Sequence, residues 1–78
     1  MNTTPAVTIH AWRQRHGSRV EWRYNLTVAR KDIGWGESPT GNPDVTIDSL
    51  PVGVAAARLR SWGFRNPQAT LRSARAGL

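Results

Sequence analysis

The stretch from Arg19 to Ala29 constrains this chain more than any other. Val20, Trp22, Tyr24, Leu26 and Val28 are apolar at every second position, with Arg19, Glu21, Arg23, Asn25 and Thr27 between them. A period of two sustained over this length belongs to a strand with one buried face; a helix would repeat its apolar positions every three to four residues. The preceding stretch, Ala6 to Gln14, alternates in the same way through Val7, Ile9 and Ala11. Arg15-His16-Gly17-Ser18 separates the two runs, and a short polar break with Gly makes the pair a β-hairpin. A two-residue turn at His16-Gly17 sets Ala11 opposite Trp22, Ile9 opposite Tyr24 and Val7 opposite Leu26. The apolar pairs then share one face. Any even-length loop centred here keeps that facing, whereas an odd one turns one strand's apolar set into water.

Beyond the hairpin, Gly34, Gly36, Pro39, Gly41 and Pro43 punctuate Arg30 to Pro43 too densely for regular structure, and Trp35 sits between two of the glycines. Val45 and Ile47, flanking Thr46, read as a short third strand. Asp48-Ser49 followed by Leu50-Pro51 reads as a helix start, with a polar cap and a proline in the first turn. The helix then runs through Val52, Ala55, Leu59 and Trp62, which trace one apolar face. Gly63 suits the position after the helix end, with Phe64 packing back onto Leu59. Arg58 and Arg60 favour the negative end of the helix dipole. Asn66-Pro67 reads as the cap of a second helix carrying Leu71 and Ala74; the alternative is a return strand through Thr70 and Leu71. The prevalence of Gln, Ala, Leu and Arg favours the helix. The expected fold is α+β: an antiparallel hairpin and a short third strand packed against one α-helix on the face of Trp22, Tyr24 and Ile9. A second short helix or strand closes the C-terminus.

At 78 residues the chain has room for one domain, residues 1–78, with a thin core. It has no Cys, so neither disulfides, thiolate metal sites nor a thiol nucleophile are available. Four Trp supply the large apolar surfaces instead. No apolar run approaches the ~18 residues of a membrane span. The segment from Met1 to Pro5 lacks the basic start and apolar stretch of a secretory signal, so a cytoplasmic location without membrane contact is expected. The net charge is +6, from ten Arg and Lys31 against five acids. Such a surplus favours polyanionic partners. The excess of Arg over Lys, with abundant Ala, Gly and Val, also fits the coding bias of a high-GC bacterium or its phage.

Catalytic and metal-binding arrangements are not found in the sequence. His10 on a strand and His16 at the hairpin tip have no H-x-x-E or H-x-x-x-H spacing. Glu21, Asp32, Glu37, Asp44 and Asp48 are scattered. Asp48 reads as the helix cap, and Asp32 and Asp44 read as loop residues. The glycine-bearing loop Gly34 to Gly41 lacks the Gly-Lys-Ser/Thr ending and the strand-to-helix setting of a phosphate loop. No enzyme activity, metal or cofactor is expected.

The polar face of the hairpin carries more information. Thr8, His10, Trp12 and Gln14 fall opposite Asn25, Arg23, Glu21 and Arg19, so Trp12 stands among His10, Arg19 and Arg23, with Arg13 and Arg15 close along the chain. Bases of single-stranded nucleic acid stack on an indole at ~1–3 kcal/mol each while guanidinium groups neutralise phosphates. The candidate nucleic-acid-binding residues are therefore Trp12, Arg13, Arg15, Arg19 and Arg23, with Arg58 and Arg60 added from the helix. The competing readings cover Trp12 with the C-terminal segment or the Trp35 loop, place it in a homodimer contact or a protein-partner patch, or account for it by cation–π packing with Arg23 alone. The expected function is a small basic binding module that touches DNA or RNA. The alternative is a phage-type interaction factor that binds a host protein or self-associates. In outline, a hairpin, a third strand and a helix ending in Leu59-Arg60-Ser61-Trp62 resembles the N-terminal arm-binding domains of phage integrases. That resemblance implies a three-stranded sheet set in a DNA groove and assigns no residue.

Overall fold

The computed structural model describes residues 4–35 and 44–76. The glycine-bearing loop beyond Trp35, with Glu37, lies outside them. Strands β1 (Val7–His16), β2 (Arg19–Ala29) and β3 (Asp44–Pro51) form one antiparallel sheet in the order β1-β2-β3. A 3₁₀ turn, Arg30–Ile33, follows β2, and helices α1 (Val52–Ser61) and α2 (Pro67–Ala76) complete the chain. This is the α+β fold that the hydrophobic patterning implies, with the C-terminal segment as a helix.

The hairpin keeps the expected facing but not the expected register. Its turn is Gly17-Ser18, so His16 pairs with Arg19, Ala11 with Tyr24, Ile9 with Leu26 and Val7 with Val28. The pairing is displaced by two residues from one centred on His16-Gly17. Turn chemistry explains the shift. A tight hairpin turn needs positive φ at its first central residue, which Gly17 adopts at 62° without a Cβ clash, and Gly followed by Ser suits a type II′ turn. A turn at His16-Gly17 would have forced that conformation on His16.

The core lies between the sheet and both helices. Ala11, Tyr24 and Leu26 from one sheet face meet Ala55, Ala56 and Leu59 of α1 and Leu71 of α2. Val7, Ile9, Trp22, Leu50, Trp62, Phe64 and Ala74 pack around them, half-buried. Burying a side chain such as Leu59 completely contributes ~1.5–3 kcal/mol. Val52 and Val54 are 42 % and 47 % exposed, so α1 does not bury Val52 as its spacing suggested.

The junction of β3 and α1 corrects a second expectation. Asp48 and Ser49 are strand residues and Asp48 caps nothing; α1 opens at Val52 after the extended Pro51, without a side-chain cap. Between the pairs Leu26–Ile47 and Tyr24–Leu50, β3 has one residue more than β2, a β-bulge. Ser49 absorbs it with φ 55°, and its N–H donates to Asn25 Oδ1 at 2.8 Å. The bulge lets Ile47 and Leu50 share the core-facing side although they stand three positions apart, a spacing that mimics a helix in the sequence.

The helix ends follow local chemistry. Phe64 N–H donates to the Leu59 carbonyl (3.1 Å) and Gly63 N–H to that of Arg60 (3.0 Å), with Gly63 at φ 100°. These are the two bonds of a Schellman stop. At the start of α2, Asn66 Oδ1 accepts the Ala69 N–H at 3.2 Å, as an N-cap does. Among the described residues no helix is long and apolar enough to cross a membrane.

Candidate nucleic-acid interface

Because both helices occupy the Ala11/Tyr24/Leu26 face, no described element covers the opposite face of the sheet. There Thr8, His10, Trp12 and Gln14 pair with Thr27, Asn25, Arg23 and Glu21. The Thr27 and Thr46 hydroxyls, 2.9 Å apart, continue this polar face onto β3. Trp12 is half-buried, and its ring stacks on that of His10 with centroids 5.5 Å apart and planes inclined by 26°. Strand alternation places the two rings side by side on β1. The described C-terminal segment does not cover Trp12; α2 packs on the other side through Leu71.

Arg23, across from Trp12, is committed elsewhere. Its Nη2 donates to Glu21 Oε1 at 2.7 Å and its Nη1 to the Ser49 carbonyl at 3.0 Å. Its Nε is buried without a partner among the described residues. The guanidinium thus ties β2 to the bulge of β3. Glu21 Oε1 also lies 3.0 Å from His16 Nε2. The hydrogen bond from Arg23 holds the Glu21 carboxyl below its ordinary value; desolvation opposes it, and the charges of Arg23, His16 and Arg19 add to the lowering. Arg19, at the mouth of the turn, is exposed.

Alternation along β1 sends Arg13 and Arg15 to the helix-bearing side of the hairpin. Arg13 pairs with Trp22, and its guanidinium lies 6.0 Å from the indole centroid; the Arg75 guanidinium of α2 lies 5.7 Å from the same ring. Trp22 is therefore a half-buried rim residue between two cations rather than the centre of the core. Val20, one step nearer the tip on this face, is 54 % exposed. Arg58 and Arg60 belong to α1, across the sheet from Trp12. The seven candidates divide accordingly. Trp12, Arg19 and Arg23 share the open face, Arg13 and Arg15 line the reverse of the hairpin, and Arg58 and Arg60 ride on the helical layer. Trp35 is flanked by Arg30, 5.7 Å from its ring, and is distant in the topology from Trp12.

Sequence reasoning missed Arg75. Its one signal was its spacing of four from the buried Leu71, which puts both on one side of α2. Charge is also segregated. From α1 through α2 the chain carries Arg58, Arg60, Arg65, Arg72 and Arg75 and no acid, whereas Glu21, Asp44 and Asp48 belong to β2 and β3. Among the described residues no three His, Asp or Glu cluster as metal ligands. No protein-family model matches the sequence, and neither curated proteins nor solved structures include a similar chain.

Proposed function

We propose that this protein is a small non-enzymatic module that binds single-stranded nucleic acid through the open face of its hairpin. The observation that carries this reading is the His10–Trp12 stack, held in register on a face that no described element covers. An indole offers ~150–250 Å² of mostly apolar surface, and leaving it partly in water forgoes burial that a thin core would otherwise use. A flat aromatic surface of this kind receives bases of any sequence. Arg19 shares the face nearer the hairpin tip, Arg13 and Arg15 lie on the same edge strand, and the net charge of +6 supplies long-range attraction. Arg23 is a positioning residue in this scheme, since its donors hold Glu21 and the β3 bulge. Arg58 and Arg60 contribute only to the general field.

The test is a titration of labelled oligo-dT, oligo-rU and a DNA duplex at several salt concentrations. Micromolar or tighter binding of the single strands, weakening steeply with salt, is the expected outcome. No binding to any of the three at low salt overturns the proposal. A second reading, self-association or docking onto another protein, draws on the edge of β1, unpaired among the described residues, and on the exposed Val52 and Val54. A concentration-dependent sedimentation coefficient without oligonucleotide binding would favour it.

A further inference from the structure

We propose that Arg13, Trp22 and Arg75 form a phosphodiester-binding clamp on the reverse face of the hairpin, separate from the Trp12 stack. The inference rests on the nucleic-acid reading and adds the place where the backbone is held. The two guanidinium groups approach one indole at 6.0 and 5.7 Å, from neighbouring strand and from α2. A guanidinium held against an aromatic face keeps its N–H edge free, and it is already ordered when a phosphate arrives. Among the described residues neither Arg13 nor Arg75 has a carboxylate partner, for both ion pairs of the described chain converge on Glu21. Arg15, two residues along the same face of β1, extends the row of cations towards the tip.

A second, independent feature points to an oxyanion here. Tyr24 follows Trp22 on the same face, and its hydroxyl is buried without a hydrogen-bond partner among the described residues. Burial pushes its pKa up, while the nearby charge of Arg75 acts in the opposite direction. A buried donor without an acceptor is uncommon in folded proteins and calls for a missing partner. A phosphate oxygen drawn in beside Arg75 would satisfy the hydroxyl. A row of separated cations matches the repeated charges of a phosphodiester chain better than it matches one carboxylate. The clamp also joins the stacking face through the edge of the sheet. Trp12 and Arg13 are consecutive on β1, which among the described residues has no strand on its outer side, so one strand of nucleic acid can rest bases on Trp12 and phosphates on Arg13.

The experiment compares the full chain with its Arg13→Gln, Arg75→Gln, Trp12→Ala and Arg60→Gln variants, each checked for folding by circular dichroism. The probes are a labelled abasic deoxyribose-phosphate oligomer and an oligo-dT of equal length. Each clamp substitution should weaken the abasic oligomer several-fold and reduce its logarithmic salt slope by about 0.7, one phosphate contact. Arg60→Gln, with the same loss of charge, should have a clearly smaller effect. Trp12→Ala should leave the abasic oligomer unchanged and weaken oligo-dT alone. Should either Gln variant unfold, Arg13→Lys and Arg75→Lys keep the charge while losing the flat fork, and should still weaken the abasic oligomer. Equal effects at Arg60 and in the clamp, or no effect in folded clamp variants, overturn the clamp. Binding of oligo-dT but not of the abasic oligomer by the wild type overturns the clamp and leaves the stacking surface standing. Normal oligo-dT binding by Trp12→Ala, with loss in the clamp variants, does the reverse.

Discussion

Replacing Trp12 by Ala separates a binding surface from a structural one. The ring lies outside the buried cluster, and its aromatic contact is His10 at 5.5 Å. Losing that pair costs ~0.5–1.5 kcal/mol. At roughly 4–8 °C per kcal/mol for a domain this small, the melting temperature should fall by about 2–12 °C. With ~5 kcal/mol of total stability the variant remains folded at 25 °C. Binding should suffer more. One lost stacking platform is worth ~1–3 kcal/mol, and at 1.4 kcal/mol per tenfold the affinity for oligo-dT should drop about 5- to 140-fold. Fluorescence anisotropy of a labelled oligonucleotide and thermal melts, run on the same preparations, measure both quantities. Leu59→Ala is the contrast: it empties a fully buried site, costs ~2–5 kcal/mol and should leave much of the chain unfolded. A folded Trp12→Ala protein that binds within twofold of wild type would refute the stacking surface. An unfolded one would show that the ring belongs to the core.

Arg23→Ala should destabilise the protein, because it frees Glu21 and the Ser49 carbonyl, yet leave the salt slope of binding unaltered; a slope lower by a full phosphate contact would contradict its assignment to the bulge. Glu21 has a depressed folded-state pKa, so the unfolded chain binds the proton more readily, and stability rises with pH across that interval. Its contribution is complete above the ordinary carboxylate range and disappears as pH falls through the lowered folded value; Glu21→Gln should flatten the acid limb of a stability–pH curve recorded by urea titration. Tyr24→Phe removes a buried hydroxyl that has no partner among the described residues, and should raise the melting temperature of the free protein, since such a group costs ~1–3 kcal/mol. A lower melting temperature would mean that the hydroxyl is satisfied in the free state.

How much of this was legible in the sequence depended on how far apart the deciding residues lie. The period of two in β1 and β2 establishes which residues share a face, and it survives the two-residue change of register because an even shift preserves facing. The Gly63-Phe64 stop and the Asn66-Pro67 cap were equally readable, for their hydrogen bonds close within a few residues. The open setting of Trp12 was one of several alternatives, since alternation assigns a ring to a face without saying what covers that face. The sequence set the first helix on the Trp22, Tyr24 and Ile9 face; only the tertiary structure decided that α2 packs there too and leaves the opposite side open.

The remaining differences have the same origin. Ile47 and Leu50 carry a helical spacing, and the contact that makes them a bulged strand comes from Asn25, far away along the chain. The sequence counts guanidinium groups but not where they point. It grouped Arg58 and Arg60 with Trp12, whereas the fold sets a whole sheet between them. It also left out Arg75, which the packing of Leu71 against the core carries to the edge of Trp22. Local chemistry determined the two hairpin strands and their facing, the stop of α1 and the cap of α2. Charge placement, and with it the division into a stacking face and a cationic reverse, followed from long-range packing, because a side chain's neighbours are set by which apolar surfaces meet.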